Sequence, residues 1–317
     1  MKFSACVCIG LGVSLFVQDL LSQEYGHRVI AAGKRKIAIV DRDGKIEWQM
    51  KWGGIHDIHV LDDGLILTRQ GPTKVVKIDP QTNQVVWQYD SANANGNEGK
   101  KVEVHAFQPL PNDQIMIAES GPARIIEVDD QGRLLKQIAL KVDNPNPHTD
   151  TRLVRKILDS GNYLVCHEGD GVLREYDSQG KVIWEYEVPL FGKEKSKGHG
   201  PLSWGNKLFS AVRLSNGNTL IATGNGHSVL EVNPAKEIVW KLDQNDLPGI
   251  TLAWVTTLEV LPNGNYVIGN CHSGSGQPLL IEIEPMSKKV VWTFDRFDVF
   301  GNNCSNSQIM DVKARYR

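Results

Sequence analysis

The sequence carries little net charge and no block of basic residues. Among its 317 residues, 35 lysines and arginines are balanced by 37 acidic residues, and the formal net charge is -2. A nucleic-acid-binding surface needs basic side chains clustered on one face of a domain. We therefore predict no nucleic-acid partner. The hydrophobic fraction of 41% is that of an ordinary globular protein.

Long hydrophobic runs are also scarce, apart from one at the N-terminus. Phe3 to Val17 is an almost unbroken apolar run that follows Lys2, and it is shorter than the roughly 20 residues of a transmembrane helix. A short apolar run behind a positive charge is typical of a signal peptide. We predict a signal peptide over residues 1–23, a periplasmic or secreted protein, and no transmembrane segment in the mature chain. A buried N-terminal segment is the alternative.

Cysteine is rare as well. The chain has five cysteines, and three of them, Cys166, Cys271 and Cys304, follow the predicted signal peptide. An odd number leaves at least one free thiol in an exported protein. Cys166 ends an apolar run and is expected to be a buried free thiol. A disulfide between Cys271 and Cys304 is left open.

Long stretches of helical periodicity are missing, and the chain instead repeats a pattern of four short apolar runs. An Asn-Gly or Asp-Gly pair follows the first run of most copies, and the fourth run contains tryptophan at positions 48, 87, 184, 240 and 292. Asn-Gly and Asp-Gly pairs suit tight β-hairpins. A period of about 40–55 residues with four strands per unit matches a propeller blade. We therefore predict an all-β propeller.

The two ends of the chain decide the number of blades. The first unit, which begins near Arg28, lacks its first strand, whereas the residues from Ser307 look like a first strand with nothing after it. Pairing these segments removes two open sheet edges, which would otherwise promote aggregation. We predict a six-bladed β-propeller over residues 24–317, with four-stranded blades, closed by a C-terminal strand that completes the N-terminal blade. The repeated tryptophans are expected to pack between neighbouring blades.

The repeat resembles that of quinoprotein-like propellers, which are built from PQQ-like repeats. The segment from Asp79 to Trp87 is similar to their Asp-x-x-Thr-Gly-x-x-x-Trp signature, with Asn83 at the glycine position. Leu261-Pro-Asn-Gly-Asn265 is similar to the repeats of arylsulfotransferase-like propellers. The resemblance implies the fold, because such repeats serve dehydrogenases, transferases and scaffolds alike. Quinone dehydrogenases of this kind have more blades and often an adjacent cysteine pair, which this chain lacks, so we predict that it does not bind PQQ.

Histidines cluster in the loops that a propeller places at one mouth of its central channel. Seven of the nine histidines fall in such loops, and His27 and His59 are the two that do not. Random placement would scatter them over strands and both faces. We predict a ligand-binding site formed by His56, Arg69, His105, Glu119, His148, Arg152, His167, His199, His227, Trp254 and His272.

Two kinds of chemistry suit such a site, and both predict pH-sensitive binding because histidine titrates near neutral pH. Converging neutral imidazoles suit a divalent metal ion. The candidate metal ligands are His56, His105, His167 and His272, with Glu119 or Glu168 as a possible carboxylate ligand. Alternatively, the side chains act as general acid, general base and anion clamp. The candidate catalytic residues are His56, His105, Arg152 and His167.

Three functional hypotheses follow. The first is an exported propeller that binds a small molecule or glycan at the histidine-rich mouth without chemistry, and the arginines there favour a carboxylated or sulfated ligand. The second is an enzyme at the same site, either a metal-assisted polysaccharide lyase or hydrolase, or an arylsulfotransferase-like transferase. The third is a scaffold that binds a protein partner. The absence of a catalytic constellation in the spacing favours the first. The long insertion from Phe191 to Asn206 is either a lid over the mouth or a loop without a role.

Overall fold

The fold is an all-β propeller of six blades, as predicted. The computed structural model describes residues 26–317, so the predicted signal peptide lies outside the described residues. These residues form six sheets of four antiparallel strands each. A search of the described helices finds none that is long and apolar enough to span a bilayer.

Strands are numbered in chain order, and blade 1 combines β1–β3 with β24, while blades 2 to 6 take four consecutive strands each. The strands are β1 (Val29–Gly33), β2 (Lys36–Val40), β3 (Ile46–Lys51), β4 (Ile58–Val60), β5 (Ile66–Gln70), β6 (Lys74–Asp79), β7 (Gln84–Asp90), β8 (Glu103–Pro109), β9 (Ile115–Ser120), β10 (Arg124–Val128), β11 (Leu134–Ala139), β12 (Val154–Ile157), β13 (Asn162–His167), β14 (Val172–Tyr176), β15 (Val182–Glu187), β16 (Ser210–Arg213), β17 (Thr219–Ala222), β18 (Val229–Val232), β19 (Ile238–Leu242), β20 (Trp254–Val260), β21 (Tyr266–Cys271), β22 (Leu280–Glu284), β23 (Lys289–Phe294) and β24 (Ser307–Ile309). A 3₁₀ helix (Ser91–Asn93) and a four-residue α-helix, α1 (Phe297–Phe300), complete the described elements.

The predicted closure of the ring is confirmed. Strand β24 pairs antiparallel with β1, and Ile309 lies opposite Val29. The amide of Met310 adds a hydrogen bond of 2.8 Å to the carbonyl of Arg28. The two chain ends thus supply one complete sheet, and neither is left as an unpaired edge.

Within each blade the first strand lies innermost and the fourth outermost. First strands of neighbouring blades contact one another, as β8 and β12 do. The inner strand β20 is buried at every position, whereas the outer strand β3 alternates between exposed and half-buried positions. Alternation of this kind is expected where one face of a strand packs and the other meets water. Trp48, the repeated tryptophan of β3, occupies one of its half-buried positions.

The tryptophans of the outer strands join neighbouring blades, which confirms their predicted structural role. The indole Nε1 of Trp87 donates to the carbonyl of Asp130 in the next blade. Trp184 and Trp240 donate to Pro234 and Pro285 of their next blades in the same way. Blade 3 has Lys136 at this position, and its ammonium group lies 5.3 Å from the ring of Tyr163 in blade 4. Blades 2 to 5 therefore each contact the next blade through the same position of the fourth strand.

A second inter-blade contact comes from buried or half-buried glutamates on the third strands, at the position before a β-bulge. Glu175 pairs with Arg213 of the next blade, and Glu231 accepts from the hydroxyl of Tyr266. Glu282 lies 2.9 Å from Nε2 of His27 in blade 1. This contact accounts for the one histidine that precedes the first blade, because His27 joins blade 6 to blade 1.

A network of buried ionic side chains joins residues of several blades. Arg155 of blade 4 reaches across to Asp57 of blade 2, with nitrogen–oxygen distances of 2.8 and 2.9 Å. The guanidinium group of Arg317 lies 2.8 Å from Nδ1 of His59, and its Nε is 3.9 Å from Glu259. Charged side chains from several blades therefore contact one another. His59 belongs to this network through its contact with Arg317.

The three described cysteines are buried free thiols. The possible disulfide between Cys271 and Cys304 is therefore not formed in this structure. Burial raises the pKa of Cys271 well above its ordinary value, and the neighbouring Cys304 raises it further. Thiols in this state are inert, because the thiolate is the reactive form.

Candidate functional site

The mouth of the channel opens into a polar cavity of about 170 Å³. Six of the predicted ligand residues line it, and they are His56, His148, Arg152, His199, Trp254 and His272. A second cleft of about 590 Å³ extends the mouth towards blade 1 and shares His56 and His272 with the first. Concave sites with a few convergent polar groups are typical of ligand binding.

One group of imidazoles is assembled by a β-bulge. In blade 3, Val104 pairs with Glu119 and Ala106 pairs with Ala118, so His105 is the extra residue of the bulge. Bulges turn side chains away from the regular alternation of a strand, and they occur often beside functional sites. The ring of His105 lies 4.8 Å from that of His56 and 5.5 Å from that of His148. Three blades thus contribute one imidazole each.

A second group of rings lies on the same cavity and involves the long insertion. The insertion brings His199 to the mouth, 4.7 Å from the ring of Trp254 and 5.0 Å from that of His272. A β-bridge between Ser196 and Trp204 joins two parts of the insertion. The insertion contributes His199 to the wall of the cavity.

Positive charge prevails at the mouth. Arg152 forms an ion pair with Glu168, and the ammonium group of Lys207 lies 3.7 Å from the same carboxylate. Lys34 and Arg35 line the adjoining cleft. One buried carboxylate thus faces an excess of cationic side chains, which favours an anionic ligand.

Two buried nitrogen atoms on this cavity lack a hydrogen-bond partner among the described residues. They are Nη1 of Arg152 and Nδ1 of His56. Buried polar groups are nearly always hydrogen-bonded in native proteins, and leaving one unpaired costs about 1–3 kcal/mol. Both belong to side chains that line the cavity, and a ligand that contacted them would supply the missing partner.

Burial keeps several of the imidazoles neutral near pH 7. It lowers the pKa of His105 to about 4 against the opposing effect of Glu103, and the positive charges of Arg152 and Arg69 lower it further. Burial and the neighbouring His199 lower the pKa of His272 to about 4. The pKa of His56 also lies well below its ordinary value, through burial and the charge of Arg152. These three rings therefore take up protons in acid rather than near neutral pH.

Four of the predicted site residues serve the framework and do not line the cavity. Arg69 donates to the carbonyls of Val104 and Gly54. Glu119 accepts from Arg124. The remaining two are His167, which contacts the Asp150 carbonyl and the Tyr176 hydroxyl, and His227, which contacts the Ala253 and Ser203 carbonyls. The ring of His227 thus joins two backbone carbonyls, and the ring of His167 joins a backbone carbonyl to a side-chain hydroxyl.

The predicted set of four metal-ligating histidines is not assembled as a whole, because both nitrogens of His167 are engaged elsewhere. Among residues 26–317, the one group of three candidate ligands is Glu103, His105 and His148, whose ligand atoms lie within 4.8 Å of one another. The carboxylate of this group comes from Glu103 rather than from Glu119 or Glu168. No local sequence pattern marks this group, because the bulge at His105 breaks the regular alternation of side chains along the strand.

Other residues of the wall were missed because nothing in their local sequence marks them. They are Thr149, Lys207, Phe209, Thr256, Cys271 and Ser305. Thr256 belongs to an irregularity between Val255 and Leu258 in blade 6, similar to the bulge that turns His105. Such irregularities depend on the pairing of two strands, which the sequence of one strand does not specify.

Comparison with known proteins assigns this chain to a family. The model of the family described as outer membrane protein assembly factor BamB matches residues 33–295. The chain belongs to this family. Its units are PQQ-like repeats, as the resemblance implied, whereas none of the comparisons supports the arylsulfotransferase-like part of that resemblance. No curated protein sequence matches this member of the BamB family.

Solved structures show the same fold. A protein of unknown function from Bacteroides caccae is 25% identical, with a TM-score of 0.71 over 88% of this chain and 97% of that one. Virginiamycin B lyase from Staphylococcus aureus is 12% identical, with a TM-score of 0.54 over 87% of this chain and 86% of the lyase. The WD40 propeller domain of Doa1 is 14% identical, with a TM-score of 0.52 over 76% of this chain and 71% of that domain. The last two likenesses concern the fold alone.

Proposed function

We propose that this BamB-family chain is an exported protein whose mouth binds an anionic small molecule or glycan. The observation that carries the proposal is the pair of unpartnered nitrogens, Nη1 of Arg152 and Nδ1 of His56, on one cavity. A carboxylate or sulfate oxygen accepts a hydrogen bond from a guanidinium group and gains from its charge. Trp254 and Phe209 add aromatic walls to the same cavity.

Export is supported by residues 1–23, which have the composition of a signal peptide. N-terminal sequencing of the protein purified from the host envelope or medium tests this point. We expect a mature chain that begins near residue 24. A chain that stays in the cytoplasm and retains Met1 would contradict export.

The binding proposal is tested by calorimetric titration with defined probes. The probes are glucuronate, galacturonate, their short oligomers and a sulfated disaccharide, with cellobiose as the uncharged comparison. We expect saturable binding of at least one anionic probe and none of cellobiose. Arg152→Gln should weaken that binding by about tenfold or more, because a hydrogen bond to a charged group contributes about 1.5–3 kcal/mol.

Two further variants make the titration decisive. His56→Ala removes the second unpartnered nitrogen from a half-buried ring and should also weaken binding. Arg133→Gln removes an exposed arginine that pairs only with Asp129 among the described acidic groups, and it should leave the affinity unchanged. Absence of saturable binding for every anionic probe, or equal affinity in Arg152→Gln, would overturn the proposal. Product formation during the titration would identify the enzyme instead.

A protein-interaction role is the second candidate, and the family description favours it. That description names an assembly factor for outer membrane proteins. In this case the mature chain should co-purify with outer membrane proteins from crosslinked envelopes, equally in wild type and Arg152→Gln. Loss of co-purification in the mouth variant would tie the partner to the cavity.

A further inference from the structure

Glu103, His105 and His148 form a compact cluster beside the mouth cavity. Oε2 of Glu103 lies 3.2 Å from Nε2 of His105 and 2.8 Å from Nδ1 of His148. Glu103 and His105 come from the bulged inner strand of blade 3, and His148 comes from the loop that enters blade 4. Three potential ligand atoms therefore face one point from two blades.

Both ring nitrogens of His105 face oxygen atoms. Nδ1 of His105 lies 3.0 Å from the carbonyl oxygen of Thr151, while Nε2 lies 3.2 Å from Oε2 of Glu103. A neutral imidazole that donates its single N–H to the Thr151 carbonyl turns the lone pair of Nε2 towards Glu103. A metal ion between Nε2 and the Glu103 carboxylate would give that lone pair a partner.

We propose that Glu103, His105 and His148 bind a divalent transition metal ion, with Zn²⁺ as the best match. Two imidazoles and one carboxylate form a known catalytic zinc ligand set, which leaves a fourth position for water or substrate. The contact of His105 Nδ1 with the Thr151 carbonyl supplies the outer hydrogen bond that metal-ligating histidines almost always make. It fixes the tautomer so that the Nε2 lone pair points at the metal.

The surroundings allow an ion to enter and to meet a ligand. His148 is exposed, so the cluster opens to solvent, and its side chain is free to adjust to bond lengths of about 2.0–2.2 Å. His56 lies next to the cluster, with its unpartnered Nδ1 on the adjoining cavity, where it is placed to contact a metal-bound water. This inference goes beyond the proposed anion site, because it concerns the ion alone and requires no organic ligand.

The test uses the mature protein without a polyhistidine tag. The protein is treated with a chelator, loaded with Zn²⁺ or Co²⁺, desalted and measured by elemental analysis. We expect about one equivalent of metal per chain and visible Co²⁺ absorption typical of a four-coordinate site. The thermal midpoint should rise with Zn²⁺, because an ion that binds only the folded state stabilises it.

Two variants and one control assign the site. Glu103→Gln and His148→Ala each remove one ligand at a partly exposed position, so folding should survive, and each should weaken metal affinity by at least tenfold. His199→Ala removes another exposed mouth histidine outside the cluster and should keep the wild-type stoichiometry. A metal-free wild type after loading, or full binding in both ligand variants, would overturn the proposal. Neither result bears on the anion titrations, provided that these use protein from which the metal has been stripped and the chelator then removed by desalting.

Discussion

Replacing Asp57 with alanine is expected to lower the free energy of unfolding by about 3–5 kcal/mol, the usual cost of breaking a buried ion pair from one side. Asp57 is fully buried, and its two oxygens meet the guanidinium group of Arg155 at 2.8 and 2.9 Å. They also accept hydrogen bonds from the backbone amides of Ile58 and Phe107, at 3.1 and 3.2 Å. The substitution leaves a buried guanidinium group and two amides without their acceptor. A loss of this size is a large part of the 5–15 kcal/mol that stabilises a typical domain.

The same contact predicts a pH dependence. Burial alone would raise the pKa of Asp57, but the charges of Arg155 and His59 outweigh it and hold the pKa well below its usual range. A carboxyl group with a depressed pKa in the folded state contributes stability above its unfolded pKa of about 3.9, and that stability is lost as the pH falls further. The difference between wild type and Asp57→Ala should therefore be constant near neutral pH and shrink below about pH 4.

Equilibrium unfolding in urea, followed by tryptophan fluorescence, measures this difference. Asp62→Ala is the control, because Asp62 is 95% exposed and pairs with Lys313 at the surface, where a pair contributes about 0–1 kcal/mol. The double variant Asp57→Ala, Arg155→Met should recover part of the loss, because it removes the unpaired charge as well. A loss below about 1 kcal/mol for Asp57→Ala, or simple additivity in the double variant, would refute the reasoning.

Two further predictions concern groups whose pKa is raised. Burial lowers the pKa of His27, but Glu282 and Asp311 raise it above 6.5 overall, so its stabilisation is complete below pH 6.5 and is lost as the pH rises through the folded pKa. The stability difference between wild type and His27→Gln should therefore shrink as the pH rises above about 6.5, and a difference that stays constant in urea unfolding would contradict this. Burial raises the pKa of Glu259 to about 7, so the folded state binds its proton more tightly and stability falls between about pH 4.5 and 7. Glu259→Gln should gain stability relative to wild type above pH 7, and an opposite trend in the same assay would count against it.

Much of the architecture was predictable because it is encoded locally and repeated. Leu-x-x-Gly turns such as that ending at Gly64 close hairpins with a glycine at φ 85°, a conformation that glycine adopts without strain. Ring closure followed from counting strands, and the pairing of Ile309 with Val29 confirmed it. The tryptophan positions followed from the same repeat.

The candidate site was predictable in its location but only partly in its members. His56, Trp254 and His272 do line one cavity. His167 was predicted in a loop of the same face, but it is the last residue of β13 and its ring contacts the hydroxyl of Tyr176. Glu103 was missed because its role depends on the bulge that redirects its neighbour on the strand. Side-chain direction at the end of a strand depends on contacts with the next blade, and those contacts are not encoded in the local sequence.

By itself, the sequence determined the number of blades and the closure of the ring, because turn residues and strand periodicity act over a few residues and recur along the chain. Only the tertiary structure decided which histidines meet and which charged side chains of different blades pair. Arg155 and Asp57 are 98 residues apart in the chain, and no local pattern relates them. Their pairing, like that of Glu103 with His148, exists only because a closed ring brings separate blades to one axis.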